Sequence, residues 1–185
     1  MRRLFLVLSL FFVWATVSAD EIKRPGEPEK PFSVSIGLYN GNVSYSAISG
    51  DDDFSGYALA LGQVFLDNFD GRITFYSLDH DDFSSIDSEG YDMVLHWGTG
   101  LASQGFKAYI GGGYFKETWE FVGIKQSFSG LQVNGGIGYN WSNIALDFIL
   151  SLRNPDDYEK YISNTLLIDT SVDAYSVSFL LSFRY

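Results

Sequence analysis

Cysteine is absent from the 185-residue chain, and proline and histidine are scarce, with four and two copies. Without cysteine, neither a disulfide framework nor a thiolate metal site can hold the fold. Pro25, Pro28 and Pro31 fall within DEIKRPGEPEKP (20–31), and Pro155 falls in a polar stretch. None interrupts a candidate strand, as a hydrogen-bonded sheet requires. Positive charge is also in short supply: 12 Lys and Arg stand against 23 Asp and Glu, a net charge of −11. That balance excludes a nucleic-acid partner, which demands a basic face. Past the first 17 residues no apolar run approaches the ~20 residues of a membrane-spanning helix.

The start of the chain is different. Met1-Arg2-Arg3 supplies positive charge, LFLVLSLFFVWATV an apolar run, and Val17-Ser18-Ala19 a small-residue cleavage pattern. That order predicts a secretory signal peptide over 1–19. Removing Arg2 and Arg3 leaves 10 basic against 23 acidic residues, a net charge of about −13 for a chain beginning at Asp20. Residues 20–31 read as an extended periplasmic linker, and 32–185 as one domain.

What the chain does have is aromatic residues, 17% of the total, and 19 glycines, a composition of strands and tight turns. From Phe32 onward a period of two recurs about eight times, the spacing at which side chains share one face of a strand. Ile144, Leu146, Phe148, Leu150 and Leu152 alternate with Ala145, Asp147, Ile149, Ser151 and Arg153. Leu131, Val133, Ile137, Tyr139 and Trp141 alternate with Gly and polar residues, and so do Tyr91, Met93, Leu95 and Trp97. In 32–46 the apolar phase changes from Phe32, Val34, Ile36 and Leu38 to Tyr39, Val43 and Tyr45. A one-residue slip exchanges faces, so a bulge is expected near Leu38 to Gly41. In 106–117 the bulk lies on both sides of the glycines, and the two faces cannot be told apart.

Connections alternate in length. Asp67 to Gly71, Ser103 to Gly105 and Asn140 to Asn143 read as tight turns. Between them, 47–54, 79–90, 118–127 and 154–173 read as longer polar loops. An even number of antiparallel strands with that asymmetry predicts an all-β fold, an eight-stranded antiparallel transmembrane up-and-down β-barrel. The interior of such a barrel is barely wide enough for side chains. The Gly and Ser columns are therefore expected inside and the Tyr, Trp, Phe and Leu columns against lipid. Closure would satisfy every backbone group, which lipid cannot do.

The chain ends DAYSVSFLLSFRY, with Phe179, Leu181, Phe183 and Tyr185 in one phase. This segment resembles the C-terminal targeting strand of outer-membrane proteins. GGIGYNWSNIALDF (135–148) and LALGQVFLDNFDGRITFY (59–76) resemble the strand–turn–strand units of small OmpA- and OmpX-type barrels. The resemblance implies that the outer-membrane assembly machinery recognises Phe179, Leu181, Phe183 and Tyr185, and that the last strand closes the barrel against the first. It also implies a monomer in the cell outer membrane, in contact with lipid and lipopolysaccharide, with no cofactor. Resemblance to full-length OmpA is expected to stop at the barrel, without a peptidoglycan-binding domain after it.

Ionisable residues within a span are costly and call for a functional hypothesis. Arg72, Asp92, His96, Asp147, Arg153 and Arg184 all fall in the inward phase. The expectation is a luminal salt-bridge network, since buried carboxylates and guanidiniums must pair. The competing reading is a lipid A- or phospholipid-modifying enzyme with His96 as base and a serine nucleophile, but no His–Ser motif stands near His96. A narrow-pore transport protein is the third reading. His80 lies among acids in DHDD (79–82) and is expected to be solvated. DDD (51–53), DHDD and DDYEK (156–160) could collect divalent cations, although the calcium-loop spacing is missing, and are expected to be solvated loop tips. The function expected is a non-enzymatic barrel serving envelope integrity or surface contact through acidic extracellular loops.

Overall fold

The structure is a computed structural model that describes residues 29–47, 50–167 and 170–185. The signal peptide expected over 1–19 and most of the linker expected over 20–31 lie outside the described residues.

Eight strands follow one another along the chain: β1 Phe32–Tyr45, β2 Asp51–Leu66, β3 Phe69–His80, β4 Ile86–Thr99, β5 Gly105–Phe121, β6 Ile124–Asn140, β7 Ile144–Arg153 and β8 Val172–Arg184. A helix, α1 (Asp156–Leu166), stands between β7 and β8. Each strand pairs antiparallel with the next and β8 returns to β1, so the sheet is a closed barrel. At the seam the amides of Phe32 and Tyr185 each donate to the other's carbonyl, at 3.1 and 3.0 Å.

Paired residues followed once around the barrel run from Asp70 through His96, Gly111, Asn134, Ser151, Ser176, Gly41 and Phe54 to His80. The path returns to β3 ten residues from its start (80 against 70), which is the stagger of the barrel. For eight strands that stagger sets a tilt of about 40° and a backbone radius of about 8 Å. Side chains fill so narrow a tube.

The apolar columns do face outward. Ile110 is 64% exposed, Leu131 72% and Val133 59%, forming a belt with Ile36, Leu38, Leu95 and Phe148. Tyr57 and Tyr175 mark the belt toward the long-connection end, and Trp97, Phe106, Tyr139 and Tyr185 toward the short-turn end.

Several sequence expectations need correction. β1 pairs with β2 and β8 in unbroken register, so there is no bulge at Leu38 to Gly41. The phase change has another cause: Tyr39 and Val43 are buried in the lumen. Apolar bulk moves to the inner face while the strand keeps its phase. The irregularity lies instead between Val64 and Leu66, where β2 passes into its turn. The interior is likewise not reserved for small residues, because Phe54, Tyr76, Leu78, Tyr109, Phe115, Phe128 and Leu180 are buried there. Glycine makes the room: a Cβ on Gly136 would sit 2.4 Å from the Tyr109 ring.

The expected long loop 118–127 is strand almost throughout, turning on Val122 (φ 47°) and Gly123 (φ 82°) alone. Positive φ at both central residues is the turn that matches strand twist. Likewise 79–90 contracts to the segment between His80 and Ile86, 47–54 gives up Asp51 onward to β2, and 154–173 contains α1. The turn expected at Asp67 to Gly71 is only two residues long, so Asp70 belongs to β3.

Candidate functional site

The lumen holds two charged clusters, stacked along the barrel. Arg153, the last residue of β7, anchors the one nearer the long connections. It donates to Glu117 Oε2 on β5 at 2.6 Å, to Asp92 Oδ1 on β4 at 3.1 Å, to the Tyr39 hydroxyl at 2.7 Å and to the Tyr76 hydroxyl at 2.9 Å. Tyr39 donates in turn to Asp92 Oδ2 at 2.5 Å, and its ring stacks on Tyr76 with centroids 4.3 Å apart. The guanidinium lies over the Phe115 ring, 4.6 Å from its centroid. Five strands are thereby tied together across the lumen.

Above this cluster sits an aromatic cap. The Tyr158 hydroxyl of α1 donates to Glu117 Oε1 at 2.7 Å, and Trp119 Nε1 donates to the same oxygen at 2.8 Å. Tyr158 stacks on Phe128 with centroids 4.4 Å apart, and Phe54 and Tyr161 complete the layer. The helix is held by both faces. Asp157 accepts from the Ser129 amide and hydroxyl, while Glu159 accepts from the Val172 amide. Burial, with Glu117 beside it, raises the Tyr158 hydroxyl well above its usual 10.0.

The second cluster lies toward the short turns. Asp147 accepts from Lys107 Nζ at 2.8 Å and the Tyr109 hydroxyl at 2.7 Å, with Arg72 at 3.6 Å. Close by, His96 Nδ1 is 2.6 Å from Asp70 Oδ1. Arg184, at the rim, donates to the Ala102 carbonyl at 2.9 Å.

Of the six polar residues singled out in the sequence, five are buried and Arg72 is half-buried, yet they do not form one network. Asp92 and Arg153 stand in the upper cluster, Arg72 and Asp147 in the lower. His96 joins Asp70, and Arg184 bonds the β4–β5 turn. Glu117, Lys107, Asp70, Tyr39 and Tyr76 were missed. Glu117 and Lys107 share the phase of Tyr109 and Phe115, a signal concealed by Gly111 to Gly113 and the bulk around them. Of the residues in the terminal column, Phe179, Leu181, Phe183 and Tyr185 are all exposed on the outer surface.

His80 corrects another expectation, for it is buried rather than solvated. Its ring meets Phe54 edge-on, Nδ1 accepts from the amides of Asp82 and Phe83, and Nε2 lies 3.2 Å from Asp52. The loop acids are also engaged: Asp53 accepts from Asn42, and Asp81 from Ser55. Among the described residues no three His, Asp or Glu side chains converge to hold a metal ion.

A closed eight-stranded barrel with an apolar belt and a polar, filled lumen defines a small barrel of the outer-membrane type. Solved structures carry the same fold. Ail, the attachment invasion locus protein of Yersinia pestis, is 18% identical over 85% of this chain and 99% of its own, with a TM-score of 0.56. Neisserial surface protein A is 14% identical over 83% and 95%, with a TM-score of 0.55. OprG from Pseudomonas aeruginosa is 12% identical over 86% and 98%, with a TM-score of 0.54. No family model matches the chain, and no curated protein matches it by sequence.

Proposed function

We propose that this chain is a non-enzymatic barrel of a Gram-negative outer membrane that acts by surface contact, its long connections facing outward. The observation that carries the reading is the occupied lumen. Arg153, Glu117, Asp92, Tyr39 and Tyr76 cross the bore from five strands and Tyr158 caps it from a helix, leaving the loop end as the surface free to meet a partner. That end is acidic: Asp51, Asp87, Glu120 and Asp156 stand there against few lysines. Such a surface favours cationic partners, with an ionic-strength-dependent on-rate. Neisserial surface protein A and an attachment protein share the fold, which agrees with a role at the surface.

The test is binding of a lysine-rich polypeptide to cells expressing the protein. Binding should exceed that of cells without it, and should fall when Asp51, Glu120 and Asp156 are changed together to Asn and Gln. Equal binding by both cell types overturns the proposal. The enzyme reading has a separate readout. His96 is enclosed against Tyr109 and bonded to Asp70, out of reach of an acyl chain. Lipid A mass spectra should therefore be the same from cells expressing the wild type and His96→Ala.

A further inference from the structure

The chain is strongly acidic, yet its short-turn end encloses a basic cavity of about 20 Å³. Lys30, Arg72, Lys107 and Arg184 line it, against only Asp70 and Asp147. Asp147 is shared between Lys107 and Arg72, and Asp70 is engaged by His96. Among the described residues, Lys30 and Arg184 have no carboxylate partner, and Arg184 meets only the carbonyls of Leu101 and Ala102. Two cations, half-buried Lys30 and buried Arg184, thus stand in excess of the carboxylates, an arrangement that destabilises unless countered.

Donors are also unspent. Arg72 Nε is buried with no hydrogen-bond partner. Lys107 gives one of its three N–H groups to Asp147. Asn140 spends its amide on the carbonyls of Gly100, Leu101 and Ser103. The walls therefore offer positive charge and N–H groups beyond what their own acceptors use.

We infer that this cavity binds one monovalent anion of chloride size, entering from the short-turn end past Lys30. Size sets the class. A volume of 20 Å³ holds one or two waters, since roughly 10–15 Å³ is needed for each. A halide, little larger than a water, can take the place of those waters, whereas sulfate and phosphate would need the walls to part. Bound there, the anion offsets Arg184 and Arg72 and ties the tail at Pro31, whose carbonyl accepts from the Val64 amide at 2.7 Å, to the barrel rim.

The test uses the full mature chain in detergent, purified without halide. Crystals soaked in bromide should show one anomalous peak between Arg184, Arg72 and Lys107. Chloride titration followed by 35Cl line broadening should give a saturable site that equimolar sulfate does not displace. Arg184→Gln and Lys107→Met should each weaken it at least tenfold while keeping heat-modifiable gel mobility. Lys30→Gln, at the mouth, serves where a deeper variant fails to assemble. The absence of the peak overturns the proposal. So does a site that sulfate displaces as well as chloride, or one that persists unchanged in the variants.

Discussion

At the residue scale the molecule turns on Arg153. It is buried, and it meets two carboxylates and two tyrosines that are buried with it. Replacing it with Met leaves Glu117 and Asp92 buried without their counter-charge, a change that costs about 3–5 kcal/mol in comparable pairs. We expect urea unfolding from phospholipid vesicles to show that loss, and expect Asp92→Asn with Glu117→Gln to recover much of it in the Arg153→Met background. A second prediction belongs to Tyr158. Its hydroxyl titrates above the usual 10.0 because burial and Glu117 oppose the phenolate. A group raised in this way stabilises fully below its unfolded value and loses that contribution as pH climbs from there toward the folded value. Protease sensitivity of α1 should therefore rise above pH about 10, and Tyr158→Phe, which cannot ionise, should delay that onset. An onset at the same pH in both chains would show that the cap is released by another group.

At the scale of elements, periodicity made the strands legible and concealed the connections. The alternation in β7 and β8 is so regular that each inward residue could be named from sequence. β5 resisted because Gly111, Gly112 and Gly113 supply no side chain by which to tell its faces apart. The helix α1 is hidden in the sequence because its outer face is polar and its inner face, Tyr158 and Ile162, carries only a short apolar stripe. Tertiary contact with Phe115 and Phe128 holds it, and a helix of 11 residues is marginal alone. The terminal strand carries its own prediction. Phe183 and Tyr185 face outward beside the seam, and Tyr185 exchanges backbone bonds with Phe32. Changing both aromatics to Ser should cut membrane insertion several-fold while leaving export intact. Normal insertion would separate the column from assembly.

At the scale of the whole molecule, closure is the dominant fact. A barrel with no free edge resists detergent until heated, so the folded chain should migrate differently on gels before and after boiling. The plugged bore should also give no steady large conductance in planar bilayers. A sustained open channel would require the Arg153 cluster and the Tyr158 cap to move aside together, and would return the narrow-pore reading to first place.

Strand class, strand number, antiparallel order and the outward-facing columns are all legible in the local pattern of the chain. Those follow from a period of two and from turn residues, both local properties of the chain. What fills the lumen is settled by long-range packing. A stagger of ten residues brings Arg153 on β7 to Glu117 on β5 and Asp92 on β4, partners 36 and 61 residues away. It also sets Tyr39 on β1 and Tyr76 on β3 at the height of Arg153. Alternation gives each residue a face, but its height along the barrel depends on the register of every strand between it and its partner, and no local pattern encodes that sum.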